Sequence, residues 1–243
     1  MDNDEILKIK NFTKEYIRGI KSVNNLTIDI KSGDIFGLVG PYGAGKTTTL
    51  KSIAGKIPFD EGNIYIEGLS VILSPLECKK LVFYMPASPD LYDTMTGIKY
   101  LNFIADRYSA SDDDHHDEIY NLADDFEISR ILYDEIGTYS RNNKQKLTIV
   151  AAFLCKPKLM IFDEPFAGID NSTAQKLKEH IKKAAEEDCA VVFSTHNLDI
   201  TENICNKIAV IQSGKLIECG ITKDIIKLQS VKDIFQDLSE PQS

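Results

Sequence analysis

The run Ile35-Phe36-Gly37-Leu38-Val39, followed at once by Gly40-Pro41-Tyr42-Gly43-Ala44-Gly45-Lys46-Thr47, limits the possible folds more than any other stretch of the chain. The first part reads as a strand buried on both faces. The second matches G-x-x-x-x-G-K-[ST], and a helix is expected to start at Lys46, which gives the strand-loop-helix context this loop requires. Glycines let consecutive backbone N–H groups curl around phosphate oxygens, and the helix N-terminus adds positive potential. Lys46 is placed to reach β/γ oxygens and the Thr47 hydroxyl to ligate Mg²⁺. The candidate nucleotide-binding residues here are Gly40, Pro41, Tyr42, Gly43, Ala44, Gly45, Lys46, Thr47 and Thr48.

The rest of the chain alternates strand and helix signals around this unit. Segments 6–12 and 26–30 alternate apolar and polar residues and read as antiparallel strands, and 63–66 and 80–85 as further strands before Pro86 and Pro89. From about 90 to 155 the strand signals vanish: Ile98, Leu101, Ile104, Ala105 and Tyr108 share one helical face, and Ile119, Leu122, Ala123 and Phe126 another. Short β-type runs return at 159–162 and 190–193, separated by a charged helix at about 172–187. Segments 208–212 and 215–218 form a hairpin through Ser213-Gly214, and a small helical tail follows. The expected organisation is one α/β domain over 1–243. It comprises a nucleotide-binding core (1–87 and 156–220), a helical subdomain (88–155) and a helical C-terminal tail (221–243). In the acidic cluster at 111–118, Ser111 ahead of the carboxylates reads as a helix start rather than a metal site.

Chemistry is also expected at two further strand ends. The strand 159–162 ends in Asp163-Glu164, which puts two carboxylates at the carboxyl edge of a sheet, where α/β folds bind ligands. Asp163 is expected to hold the water shell of the metal, and Glu164 to orient or deprotonate a water attacking the γ-phosphate. His196 follows the strand 190–193 through Ser194-Thr195; a lone histidine there is ordinarily structural, and its use as a donor to a γ-phosphate oxygen depends on the resemblance described below.

Composition removes other classes. Acidic residues outnumber basic ones 37 to 28, for a net charge of -9, the wrong sign for a phosphate-backbone binder, so nucleic acid is not an expected partner. The start of the chain lacks the basic-then-apolar pattern of an export signal, and the longest apolar stretch, 147–155, falls far short of the roughly 20 residues that span a bilayer. The 5 cysteines have no C-x-x-C spacing, which favours a reducing cytosol over a disulfide framework or a zinc site.

In order along the chain, the phosphate loop, the Asp163-Glu164 pair and His196 resemble the ATPase subunits of ATP-binding cassette (ABC) transporters, over nearly the whole length. The resemblance implies a P-loop NTPase (RecA-like) core with an antiparallel β subdomain and a helical insert, and ATP and Mg²⁺ as ligands. It implies that Tyr16 stacks on adenine, that residues 138–146 stand where the family's Ser-Gly-Gly-Gln signature lies, and that 167–170 are its D-loop. Family members close head to tail, so Ser140, Arg141 and Asn142 are expected to face the ATP of a second ATPase subunit, in a homodimer or a heterodimer. The resemblance also implies docking on an ABC permease, with the chain peripheral on the inner face of the membrane. Residues 85–101 resemble those of single-cassette exporters of drugs, antimicrobial peptides or other amphipathic compounds. Three positions depart from the family pattern: Tyr42 replaces an Asn, Ala87 replaces a Gln, and Asn142 replaces the second signature Gly. A low-activity regulatory subunit of an asymmetric pair is therefore the alternative to a self-sufficient ATPase. A translation or DNA-repair member is disfavoured, because no tandem cassette, coiled-coil insert or basic surface is visible.

Overall fold

A computed structural model describes residues 4–108 and 115–236. In chain order the elements are β1 (Glu5–Ile17), β2 (Ile20–Lys31), β3 (Ile35–Val39), α1 (Lys46–Ile53), β4 (Glu61–Ile66), β5 (Leu69–Ser70), α2 (Pro75–Leu81) and β6 (Val82–Met85). They continue with α3 (Gly97–Tyr108), α4 (His116–Asp125), α5 (Arg141–Leu154), β7 (Leu159–Phe162), α6 (Asn171–Glu186) and β8 (Ala190–Thr195). The last are α7 (Leu198–Ile204), β9 (Lys207–Gln212), β10 (Lys215–Ile221), α8 (Thr222–Ile225) and α9 (Gln229–Gln236).

Two sheets form. An antiparallel sheet has the order β2-β1-β4-β5, and a second sheet has the order β10-β9-β3-β8-β7-β6, parallel except for the edge hairpin β9–β10. Continuous apolar runs in the second sheet reflect burial on both faces. Along β3, β7 and β8 the residues Val39, Met160, Phe162, Val191 and Phe193 enter one core, packed with the helices of the insert and α6. Their neighbours Phe36, Leu38, Leu159, Ile161 and Val192 enter the other, with α1 and the antiparallel sheet. At the amino end of the parallel strands, buried Asp34 accepts hydrogen bonds from the Lys31 N–H, Asn206 Nδ2 and Lys207 Nζ, each at 2.8 Å.

The expected helical faces are buried: Leu101 and Ala105 on α3 and Ile119 and Ala123 on α4 lie in the first core, as does Phe126 just after α4. Two expectations change. Lys80 and Leu81 end α2 instead of starting a strand, because Ser74-Pro75 starts a helix there and only residues from Val82 pair with β7. The opening strands also run longer, meeting at a tight turn where Gly19 takes φ +84°. α7 and β5 carried no clear sequence signal. Ser111, the expected helix start, lies outside the described residues, and α4 is described from His116. Among the described residues no helix is long and apolar enough to cross a membrane. The cysteines are free, and all but Cys219 are buried.

Candidate functional site

The strands β3, β6, β7 and β8 run parallel, so the segments after them emerge along one sheet edge. The phosphate loop follows β3, Asp163-Glu164 follow β7, and His196 follows β8. Two main-chain bonds bind these ends together: Gly40 N–H donates to Thr195 O at 3.3 Å, and Asp163 N–H to Met85 O at 2.9 Å.

Close backbone packing shapes the loop. A Cβ on Gly40 would lie 2.1 Å from the Ile211 carbonyl oxygen, and one on Gly45 would lie 2.5 Å from the Ser22 carbonyl oxygen. Gly45 caps α1 at φ 105°, where only glycine is comfortable, and no side chain caps the first-turn amides of the helix. Those amides and the macrodipole thus face outward, as an anion site requires. The turn between β9 and β10 braces the loop from behind: Gly214 N–H donates to Ala44 O at 3.0 Å, and Asn24 N–H to Gly214 O at 2.8 Å.

Lys46 is buried. Its Nζ donates to the carbonyl oxygens of Gly40 at 2.7 Å and Pro41 at 3.0 Å, and stands 3.6 Å from Glu164 Oε1. Burial pulls its pKa below the usual lysine value, opposed by the Glu164 carboxylate. Thr47 Oγ1 donates to Asp163 Oδ1 at 3.0 Å, so a hydroxyl and a carboxylate already face each other. That pair suits Mg²⁺, a hard cation that takes one or two protein oxygens and keeps several waters. Ala87, exposed after β6, has no polar side chain to add to it.

One residue that sequence reasoning passed over organises both carboxylates. Ser194, at 0% exposure, donates from Oγ to Asp163 Oδ1 at 2.7 Å and accepts the Glu164 N–H at 2.9 Å. Glu164 is a non-glycine residue at φ 50°, and this bond helps to hold it there. Glu164 Oε2 lies 3.1 Å from His196 Nδ1, and Tyr42 Oη lies 3.3 Å from His196 Nε2. Ser194 gave no sequence signal beyond being a hydroxyl inside an apolar strand.

Tyr16 projects from β1 at 62% exposure, with its hydroxyl 3.4 Å from Thr48 Oγ1 and Lys14 Nζ 5.5 Å from its ring centroid. Thr48 also lies 3.0 Å from Ser22 Oγ, so its hydroxyl faces β2 and Tyr16. The candidates Ser140, Arg141 and Asn142 stand apart: among the described residues, no hydrogen bond or ion pair joins them to residues 40–48. Ser140 instead caps α5, accepting the Asn143 N–H at 3.1 Å. Asn142 Nδ2 points to Asp170 Oδ2 at 3.5 Å, while its Oδ1 is buried without a partner.

Two more residues escaped sequence reasoning. Gln145 Nε2 donates to Pro165 O at 2.9 Å and Ala167 O at 3.3 Å, and buried Lys146 Nζ lies 3.5 Å from Asp170 Oδ2. Asp170 caps α6, and its bonds to Thr173 hold its carboxyl well below the usual range, helped by Lys146. Gln145 and Lys146 end the polar run 141–146 that opens α5, so nothing in the pattern marks them as buried. Together they lock the start of α5 to the loop after Glu164.

A family model described as ABC transporter matches residues 23–167. The chain is 33% identical to the uncharacterized ABC transporter ATP-binding protein YhcH of Bacillus subtilis, over 90% of this chain and 71% of that one. It is 31% identical to the linearmycin resistance ATP-binding protein LnrL of the same organism, over 90% of this chain and 70% of that one. A solved structure of the ATP binding subunit of an ABC transporter superposes with a TM-score of 0.88 at 28% identity, covering 97% of this chain and 100% of that one.

Proposed function

The chain belongs to the ABC transporter family as one of its ATP-binding, ATP-hydrolysing subunits, and from that premise we propose that it forms half of a nucleotide sandwich driving a separately encoded membrane permease. The observation that carries this reading is the convergence of Lys46, Thr47, Asp163, Glu164 and His196 at one sheet edge, hydrogen-bonded or ion-paired into one cluster.

On this reading Lys46 exchanges its loop carbonyls for β- and γ-phosphate oxygens, and the α1 amides cradle the phosphates. Thr47 and Asp163 hold Mg²⁺, which neutralises phosphate charge when bound. Glu164 orients the attacking water and accepts its proton, and His196 contacts the γ-phosphate. Tyr16, exposed beside α1, offers its ring to adenine. Ser140, Arg141 and Asn142 lie apart from their own phosphate loop, which fits a role at the ATP of a second subunit. The core and the helical subdomain divide as 1–87 with 156–220, against 88–155, with 221–243 as the tail.

The permease contact is assigned to a cleft of about 590 Å³ lined by Tyr84, Leu91, Tyr92, Phe103 and Tyr108 among others. Val71 lines the cleft, and exposed Ile72 and Leu73 follow it in the chain, apolar surface suited to a permease helix. Docking there places the chain on the cytoplasmic face of a membrane. The LnrL similarity and the segment 85–101 favour export of drugs, peptides or other amphipathic compounds.

Asn142 favours a second reading, a low-activity partner in an asymmetric pair. A side chain stands where close approach of backbone to phosphate is needed, and its Oδ1 is buried without a partner. Steady-state hydrolysis of Asn142→Gly and Glu164→Gln variants decides between them. A self-sufficient motor loses turnover in Glu164→Gln by at least about 100-fold and changes little in Asn142→Gly. A weak half-site turns over negligibly until Asn142→Gly raises it.

A further inference from the structure

Tyr42 stands in the phosphate loop where the family pattern has Asn, and the loop's role in cradling phosphate uses its backbone but not its side chain. Although 76% exposed, it is held in place. Its ring centroid lies 4.7 Å from that of the His196 imidazole, with the planes at 33°, and Lys46 Nζ lies 5.8 Å from the same ring. Its hydroxyl is 3.3 Å from His196 Nε2, while Glu164 Oε2 is 3.1 Å from His196 Nδ1. A carboxylate only accepts hydrogen bonds, so Nδ1 carries the proton it donates to Glu164. In the neutral ring Nε2 is then a lone pair, and the Tyr42 O–H donates to it. A γ-phosphate oxygen also only accepts, so it cannot pair with His196 in this state.

We propose that Tyr42 is a latch on His196 that a third phosphate must open, making the chain distinguish ATP from ADP before chemistry begins. The inference rests on the reading of His196 as the γ-phosphate contact. Tyr42 is a positioning residue, acting through His196. Opening moves the Tyr42 hydroxyl from Nε2 to water. The ring then gains a proton at Nε2 from solvent and returns the Nδ1 proton to solvent, with no net change. Nε2–H now faces the phosphate. Nδ1, become a lone pair, no longer binds the Glu164 carboxylate, so Glu164 is released to orient water. ADP has no group to drive this exchange and leaves the latch closed.

The test is calorimetric titration of ADP and of the β,γ-imido analogue of ATP into the wild-type chain and into Tyr42→Phe, Tyr42→Asn and His196→Ala variants. Losing the latch bond favours the analogue over ADP. Tyr42→Phe is expected to tighten the analogue relative to ADP by about threefold to tenfold, the net worth of one hydrogen bond. Tyr42→Asn moves the same way. In parallel, ¹⁵N-edited spectra follow the ring nitrogens of the 4 histidines, with His196→Ala assigning the relevant signal. His196 is expected as the Nδ1–H form alone and with ADP, and as the Nε2–H form with the analogue. Equal shifts for ADP and the analogue in Tyr42→Phe, or an unchanged His196 tautomer with the analogue, overturn the latch. If His196→Ala abolishes the preference for the analogue while Tyr42→Phe leaves it intact, the latch fails and the His196 contact stands. If His196→Ala leaves that preference unchanged, the His196 contact itself fails, and the latch with it.

Discussion

Ser194→Ala removes one oxygen and is expected to damage both stability and turnover, because that oxygen serves two neighbours. Its Oγ donates to Asp163 Oδ1 at 2.7 Å and accepts the Glu164 N–H at 2.9 Å, at a position with 0% exposure. Alanine leaves the Glu164 amide unpaired, a cost of about 1–3 kcal/mol, and removes a hydrogen bond to a carboxylate worth about 1.5–3 kcal/mol. Both losses run through one atom, so they are not fully additive, and about 3 kcal/mol is the expected total. For a chain of this length about 2–4 °C of melting temperature corresponds to each kcal/mol, so Tm should fall by about 6–12 °C. The Thr47 bond to Asp163 at 3.0 Å survives, so the phosphate loop keeps one tie to β7. Glu164, at φ 50°, loses one of its restraints and drifts from its place. If half or more of the energy was spent in positioning it for the attacking water, kcat falls by about 10- to 100-fold while KM stays within about threefold. Thermal unfolding followed by circular dichroism and steady-state phosphate release measure the two effects. A Tm drop under about 2 °C, or an unchanged kcat, refutes the claim that this hydroxyl organises the pair.

Two further outcomes are expected. Gly40→Ala places a Cβ 2.1 Å from the Ile211 carbonyl oxygen, a backbone atom that cannot rotate away. It should cost at least about 1–3 kcal/mol and weaken ADP binding by about tenfold or more, as read by thermal unfolding and nucleotide titration. Tyr92→Asp puts a charge at the mouth of the cleft between core and insert, where Tyr92 is 64% exposed. ATP hydrolysis by the isolated chain should stay within about twofold, while co-purification with the permease proposed above, and export through it, fall by about tenfold or more. Unchanged export removes the cleft from the permease interface.

Much of the fold was legible because its signals are local. The run 35–39 is apolar at every position save Gly37 because both faces of β3 are covered, and the loop after it needs glycines where Ile211 and Ser22 carbonyls press close. The alternation of strands and helices, the hairpin at Ser213-Gly214 and the faces of α3 and α4 follow from spacing alone. Lys80 and Leu81 were read into the strand because α2, Pro75–Leu81, runs directly into Val82–Met85 with no breaker between. Periodicity over so few residues cannot separate the two.

By itself, the sequence offered the groups that the site brings together: a phosphate loop marked by its own local motif, and a carboxylate pair and a histidine at strand ends, whose reading rests on the loop and on the family resemblance. What only the tertiary structure decided is how these groups constrain one another. Ser194 bridges Asp163 and Glu164 across 31 and 30 residues, Tyr42 meets His196 across 154, and Gln145 reaches Pro165 across 20. Such pairings depend on which strands become neighbours, and parallel strands joined through helices bring together residues whose separation in the chain carries no trace of their contact.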